Sequence, residues 1–199
     1  MKKLMMMAVM AVACLTANAQ NARHDAGSFT LQPMVGISAG TLSGKYDHLS
    51  FTNDDPRAGF TGGIEGEYYT STHWLTISAA AMYTQQGWEF KGNGGYTAKV
   101  DYINIPILVN FYVAKGFALK IGLQPGFLVS AKQGSTDFKS NCESFNLSLP
   151  IGLSYEFKNG ITLDLRGAAA LTALNKNSTS DYKLRSDCSM LTIGYKFGL

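Results

Sequence analysis

The sequence predicts an all-β protein, an eight-stranded antiparallel up-and-down transmembrane β-barrel. Three observations carry that prediction. Apolar residues alternate with small or polar ones over segments of about ten residues, which is the period of a strand with two unlike faces. The links between segments are alternately short and long, as in bacterial outer-membrane barrels. No window offers the roughly eighteen uninterrupted apolar residues that a membrane helix needs, so the apolar faces cannot be explained by helices.

The first residues stand apart from this pattern. Lys2 and Lys3 precede an apolar run from Leu4 to Leu15, and Ala17-Asn18-Ala19 precedes Gln20, the small-x-small pattern of a secretory signal peptide. Residues 1–19 are therefore read as a cleaved signal, with the cut between Ala19 and Gln20, and residues 20–199 as one barrel domain. A lipoprotein signal using Cys14 is the competing reading, weakened because Ala11-Val12-Ala13 lacks the leucine usual three residues ahead of such a cysteine. A formal charge of +3 on 199 residues is too small and too scattered to suggest nucleic acid.

Eight segments follow in order. Phe29, Leu31, Val35, Ile37 and Ala39 oppose Thr30, Gln32, Gly36 and Ser38. Phe60, Ile64 and Tyr68 oppose Thr61, Glu65 and Glu67; Leu75, Ile77, Ala79, Ala81 and Tyr83 oppose Thr76, Ser78 and Thr84. Tyr102 to Lys132 makes a hairpin about Ala114-Lys115-Gly116, with Ile103 to Val113 and Phe117 to Val129 supplying the odd, apolar face. Then come Leu147 to Phe157, Ile161 to Leu171 and Leu191 to Phe197. Arms of about ten residues suit a tilted crossing of the hydrocarbon and exceed ordinary globular strands. Short links lie near 70–73, 114–116 and 158–160, and long ones near 44–57, 86–99, 132–145 and 175–187. Both termini then fall on the short-link, periplasmic side of the outer membrane of a Gram-negative bacterium. Closure is required because lipid offers no partner to an open sheet edge.

A soluble lipocalin would show the same alternation turned inside out. Here the polar face is mostly Gly, Ala, Ser and Thr, which suits a narrow packed lumen better than a solvated exterior. Tyr68, Tyr83, Tyr155, Phe157 and Tyr195 stand at strand ends on the apolar face, where interfacial girdles belong. Pro33, Pro106, Pro125 and Pro150 fall within strands, and each removes a ladder donor, so bulges or ladder gaps are expected there.

The stretches "YINIPILVNFYV", "GLQPGFLVSAK" and "PIGLSYEFKNGITLDLRGAAALTALN" resemble the PorT-like outer-membrane β-barrel domain family across essentially the whole mature chain. The resemblance implies the same barrel fold. Members mostly have no assigned activity, and the namesake is linked to protein secretion across the outer membrane; fold alone does not transfer that role.

Strand parity points Glu65, Glu67, Lys120, Glu156, Asp164, Arg166 and Lys196 into the lumen, all toward the short-link end. Unpaired buried charge is costly, so these residues are expected to pair into an ionic plug, with a proton or ion path as the alternative. Glu65 and Glu67 are same-face neighbours on one strand and cannot flank a sugar as a glycosidase pair does. His24, His48 and His73 show no metal-ligand spacing and read as solvated surface residues. A lipid-modifying enzyme would need a Ser-His pair, for which His48 with Ser50 and Asp47 is a poor candidate; Asn53-Asp54-Asp55 is a polar turn before it is a calcium site. No catalytic, cofactor or metal site is expected.

Tyr46, Phe51, Trp88, Phe90, Tyr96, Phe138 and Tyr182 fall in the long links, the usual material of recognition surfaces or of loops packed on themselves. Two functional classes follow: a structural or partner-binding barrel whose loops take an extracellular protein or glycan, and a small transport or secretion-accessory barrel. A monomer in outer-membrane lipid is expected. Cys142 and Cys188 survive processing, and an even pair in an exported chain suggests a disulfide across the outer loops, with two free thiols as the other outcome.

Overall fold

The computed structural model describes residues 24–46, 49–52, 56–72, 74–90, 96–134, 136–176 and 182–199. Residues 1–19 with the Ala19–Gln20 junction, together with His48, His73 and Asn53–Asp55, lie outside them. Alternating side chains give the strands β1 (Phe29–Tyr46), β2 (Leu49–Thr52), β3 (Arg57–Tyr69), β4 (Leu75–Phe90), β5 (Tyr96–Asn104) and β6 (Ile107–Ala114). They continue as β7 (Phe117–Gln133), β8 (Thr136–Asp137), β9 (Phe145–Glu156), β10 (Ile161–Ala170), β11 (Tyr182–Tyr195) and β12 (Phe197–Gly198).

These strands make one ring with eight wall positions. β5 and β6 are two halves of one wall strand, since both pair with β4 and β7, and β11 and β12 likewise share β1. β2 and β8 only extend β1 and β7 at the long-loop end. The ring closes where β1 meets β11, from Met34 opposite Gly194 to Tyr46 opposite Tyr182. All pairings are antiparallel, and closure of the ring through β1 and β11 leaves no wall edge facing lipid.

The four strand prolines sit at breaks in the ladder, because a residue without an N–H cannot complete it. Beside Pro33 the β1 ladder skips from Leu31–Phe197 to Met34–Gly194. Beside Pro150 the β7–β9 ladder skips from Ile121–Ile151 to Gln124–Ser148. Pro106 separates β5 from β6, and there Ile105 N–H donates to the Pro125 carbonyl at 2.8 Å. The short turn from β6 to β7 is made at Gly116, whose φ of 81° lies in the left-handed region that favours glycine.

Parity then separates two environments. Val35, Ile37, Ile64, Ile107, Ile151, Leu165 and Leu191 project outward from the wall, Ile37 at 65% exposure. Aromatic pairs mark the short-turn border of this band: Trp74–Phe111, Tyr155–Phe157 and Tyr195–Phe197, with centroids 6.1, 4.9 and 4.7 Å apart. Phe127 and Phe145 pair at 5.8 Å toward the other border. An outward apolar band between aromatic girdles is a lipid-facing wall.

The wall strands run further toward the long loops than alternation suggests. β4 continues to Phe90, β5 starts at Tyr96 and β11 starts at Tyr182, so much of the expected loops is strand that stands beyond the apolar band.

Candidate functional site

The lumen is filled in layers, starting at the short-turn end. β3, β9, β12's approach and β6 bring Glu67, Glu156, Lys196 and Tyr112 together there. Lys196 Nζ lies 2.7 Å from Glu67 Oε2 and 3.3 Å from Glu156 Oε2. It also donates to the hydroxyls of Tyr69 and Tyr112 at 3.1 and 3.2 Å. The Glu67 carboxylate is wrapped by donors: Tyr112 O–H and Asn110 Nδ2 each reach Oε1 at 3.0 Å, and Thr76 O–H reaches the same oxygen.

The next layer is a closed ring of four charges. Lys120 Nζ lies 2.6 Å from Glu65 Oε1 and 2.9 Å from Asp164 Oδ2. Arg166 Nη2 lies 3.0 Å from both Glu65 Oε2 and Asp164 Oδ2, and its Nε adds a third bond, 3.2 Å to Asp164 Oδ1. None of the four side chains is more than 3% exposed. Charge at this burial persists because each ion has opposite partners at hydrogen-bond distance. The structure thus places all seven charges that parity sends inward in two adjoining, interlocked groups.

Above the ions lies an apolar and thioether layer of Met34, Ala80, Met82, Ala168, Cys188 and Met190. Arg166 Nη1 touches it, 3.8 Å from Met82 Sδ. Further up, Ser186 O–H donates to Gln86 Oε1 at 3.0 Å, and Arg57 Nη1 donates to the Gln86 carbonyl at 2.6 Å. The long-loop mouth is closed by a cluster of Leu42, Trp88, Ala98, Val100, Tyr102, Leu128, Ala131, Cys142 and Leu174, with Phe138 packed against it.

Three expectations are corrected here. The disulfide is not formed: Cys142 and Cys188 are both free and buried. Cys188 lies well inside β11, opposite Gly40 and Ala168, and points into the thioether layer, whereas Cys142 belongs to the mouth cluster. The two thiols occupy different layers, so the loops that carry them have no reason to lean together. Trp88 is not an exposed loop residue; β4 carries it into the lumen, where it is 7% exposed. His24 is not a solvated tail residue; its Nε2 lies 3.1 Å from Glu156 Oε1.

Tyr69, Tyr112, Thr76 and Asn110 are members of the network beyond its seven charges. Parity already pointed Thr76, Asn110 and Tyr112 inward, and proximity to a lumen carboxylate was the available signal. For the mouth cluster, alternation pointed only Tyr102 and Leu128 inward, since the rest forms where β1, β4, β5, β7 and two connections meet. Burial pushes the Cys142 thiol above its ordinary pKa, because the mouth cluster offers little to stabilise a thiolate. Among the described residues no group of three or more His, Cys, Asp and Glu side chains could hold a metal ion.

A closed ring of eight wall strands, lipid-facing outside and ion-filled inside, defines a membrane-spanning β-barrel protein. The chain belongs to the outer membrane protein β-barrel domain family, which it matches over residues 18–176, and is an outer-membrane barrel. No curated relative matches it. Among solved structures, Ail, the attachment invasion locus protein of Yersinia pestis, is 17% identical with a TM-score of 0.50, over 86% of this chain and 99% of that one. The same protein in complex with the heparin analogue sucrose octasulfate is 16% identical, also at 0.50, with the same coverage. Neisserial surface protein A is 19% identical at 0.50, over 85% of this chain and 97% of that one. At these identities the likeness is one of fold.

Proposed function

We propose that this protein is a non-catalytic, monomeric structural barrel, closed along its axis, which holds a partner-binding surface outside the cell. In this reading the long loops are extracellular and both termini periplasmic, because short turns face the periplasm in bacterial barrels. The observation that carries it is the stacking of two interlocked charge groups beneath a thioether layer and an apolar mouth. Polar interiors that conduct leave charges solvated; here Glu65, Asp164 and Arg166 are spent on one another.

The extracellular partner is a protein or a glycan met by the long-loop end. The complex of Ail with a heparin analogue supports a glycan as one such partner for a barrel of this shape. The PorT-like resemblance would favour a secretion-accessory role, but a lumen filled in layers offers no conduit and supports the structural reading instead.

Planar-bilayer recording of the purified, refolded barrel tests this. Closed, nearly current-free insertion is expected. Large steady currents from the unmutated protein would overturn it and return the transport reading.

A further inference from the structure

The segment ahead of the first strand is folded against the short-turn end of the barrel rather than trailing from it. Ser28 N–H donates to the Asp25 carbonyl at 3.2 Å, and its hydroxyl donates to the same oxygen at 2.6 Å, making a turn over Asp25–Ser28. Gly27 sits in that turn at φ 84°, a left-handed conformation that a side chain strains, although no atom crowds the position. The turn is fixed to β3 at its C-terminal end: Gly27 N–H donates to the Tyr69 carbonyl at 2.7 Å, and Tyr69 N–H to the Ser28 carbonyl at 3.0 Å.

This reversal sends His24 back over the short-turn end of the lumen. Its ring lies 5.1 Å from the ring of Tyr69, and its Nε2 lies 3.1 Å from Glu156 Oε1. His24 keeps 22% of its side chain exposed, whereas Glu156 beneath it keeps 5%. The imidazole therefore sits between solvent and the first ionic layer.

The charge inventory gives that position a purpose. Lys120 and Arg166 are both consumed by Glu65 and Asp164. Lys196 is a single cation between two carboxylates, nearer to Glu67 than to Glu156. Among the described residues, four carboxylates face three permanent cations in these layers, and His24 stands beside Glu156 at the solvent side. Among the described residues, His24 is the further basic side chain that reaches the network.

We infer that residues His24–Ser28 form a seated stopper: the imidazole supplies a donor to Glu156, the turn at Gly27 holds it there, and the arm rather than the wall controls water access to the ionic layers. The stopper rests on the closed-lumen reading above and extends it by naming the part that can move. The wall strands are tied on both sides by ladders, whereas the described backbone bonds of the arm to the wall go to Tyr69 on one side, so local opening falls on the arm first.

Carbodiimide coupling of an amine to carboxylates, read residue by residue by mass spectrometry on the refolded barrel in micelles, tests the stopper. His24→Ala should raise labelling of Glu156, with Glu67 following, on the order of tenfold over the unmutated protein. Gly27→Val should raise the same two labels without touching any charge. His24→Gln, whose amide can still donate, should restore much of the protection. Glu65 and Asp164, one layer deeper, should stay unlabelled in every variant. An unheated gel band at the folded position establishes in each case that the wall is intact. Equal labelling of Glu156 in the unmutated protein, His24→Ala and Gly27→Val would overturn the stopper while leaving the closed lumen standing. Labelling of all four carboxylates in the unmutated protein would instead defeat the closed-lumen reading itself.

Discussion

Arg166 on β10 and Glu65 on β3 meet inside the barrel at 3.0 Å, although their strands are not neighbours in the ring. A bond of this kind spans the lumen and braces the wall from within. Arg166 is also held by Asp164 on its own strand, so its fork is divided between two carboxylates. Removing it leaves both acids facing Lys120 alone. Arg166→Ala should therefore destabilise the barrel by about 3–5 kcal/mol, the usual cost of orphaning a buried charge. Denaturant titration in micelles, following the unheated gel band, measures this. A loss no larger than that of an exposed lysine variant would show that the ring does not brace the wall.

Tyr112 probes the layer below. Its hydroxyl accepts from Lys196 and donates to Glu67, so one oxygen links an ammonium to a carboxylate. Tyr112→Phe keeps the ring volume and removes only that link, and should cost about 1–3 kcal/mol in the same titration. If Tyr112→Phe matches the unmutated barrel, then Asn110, Thr76 and Lys196 suffice to hold Glu67.

The wall was legible in the sequence and the axis only in part. Alternation needs nothing but a chain with two faces, so Ile103 to Val113 and Phe117 to Val129 read directly as a hairpin. The lumen charges were legible for the same reason, because parity assigns Glu65 and Arg166 to one interior. Which charge meets which was not, since that depends on the stagger between strands far apart in sequence. The final wall strand was read as starting near Leu191, whereas it starts at Tyr182, because Lys183, Arg185 and Asp187 look like loop residues until the strand is seen to project past the membrane. The misplaced thiol bridge follows from that boundary. His24 lay in a segment without periodicity, and its place comes from a turn at Gly27 that no pattern announces.

The mouth cluster makes a separate claim. Trp88 reaches into it from β4 with Tyr102 and Leu128 from β5 and β7. Trp88→Ala should cost about 3–5 kcal/mol through lost burial and the cavity left behind. Conductance should nevertheless stay low, because the ionic layers beneath are untouched. A Trp88→Ala barrel that conducts would place the true constriction at the mouth and make the charge groups secondary.

The two thiols allow the most direct check of the layering. Cys188 faces the thioether layer between Gly40 and Ala168, and Cys142 closes the mouth beside Asn175. Both are buried, so neither should alkylate readily in the folded barrel, and both should alkylate after unfolding without any reductant. Cys142 adds a pH signature. Burial raises its folded value above that of the unfolded chain, so the unfolded chain loses its proton first as pH climbs. The sign is that Cys142 contributes stability fully below the ordinary thiol range and loses it above, and a Cys142→Ala barrel should lack that alkaline decline. Mass spectrometry of the unfolded, unreduced protein decides the first part: a mass two hydrogen atoms lighter, with no alkylation, would mean a bridge and would require the mouth and thioether layers to be rearranged.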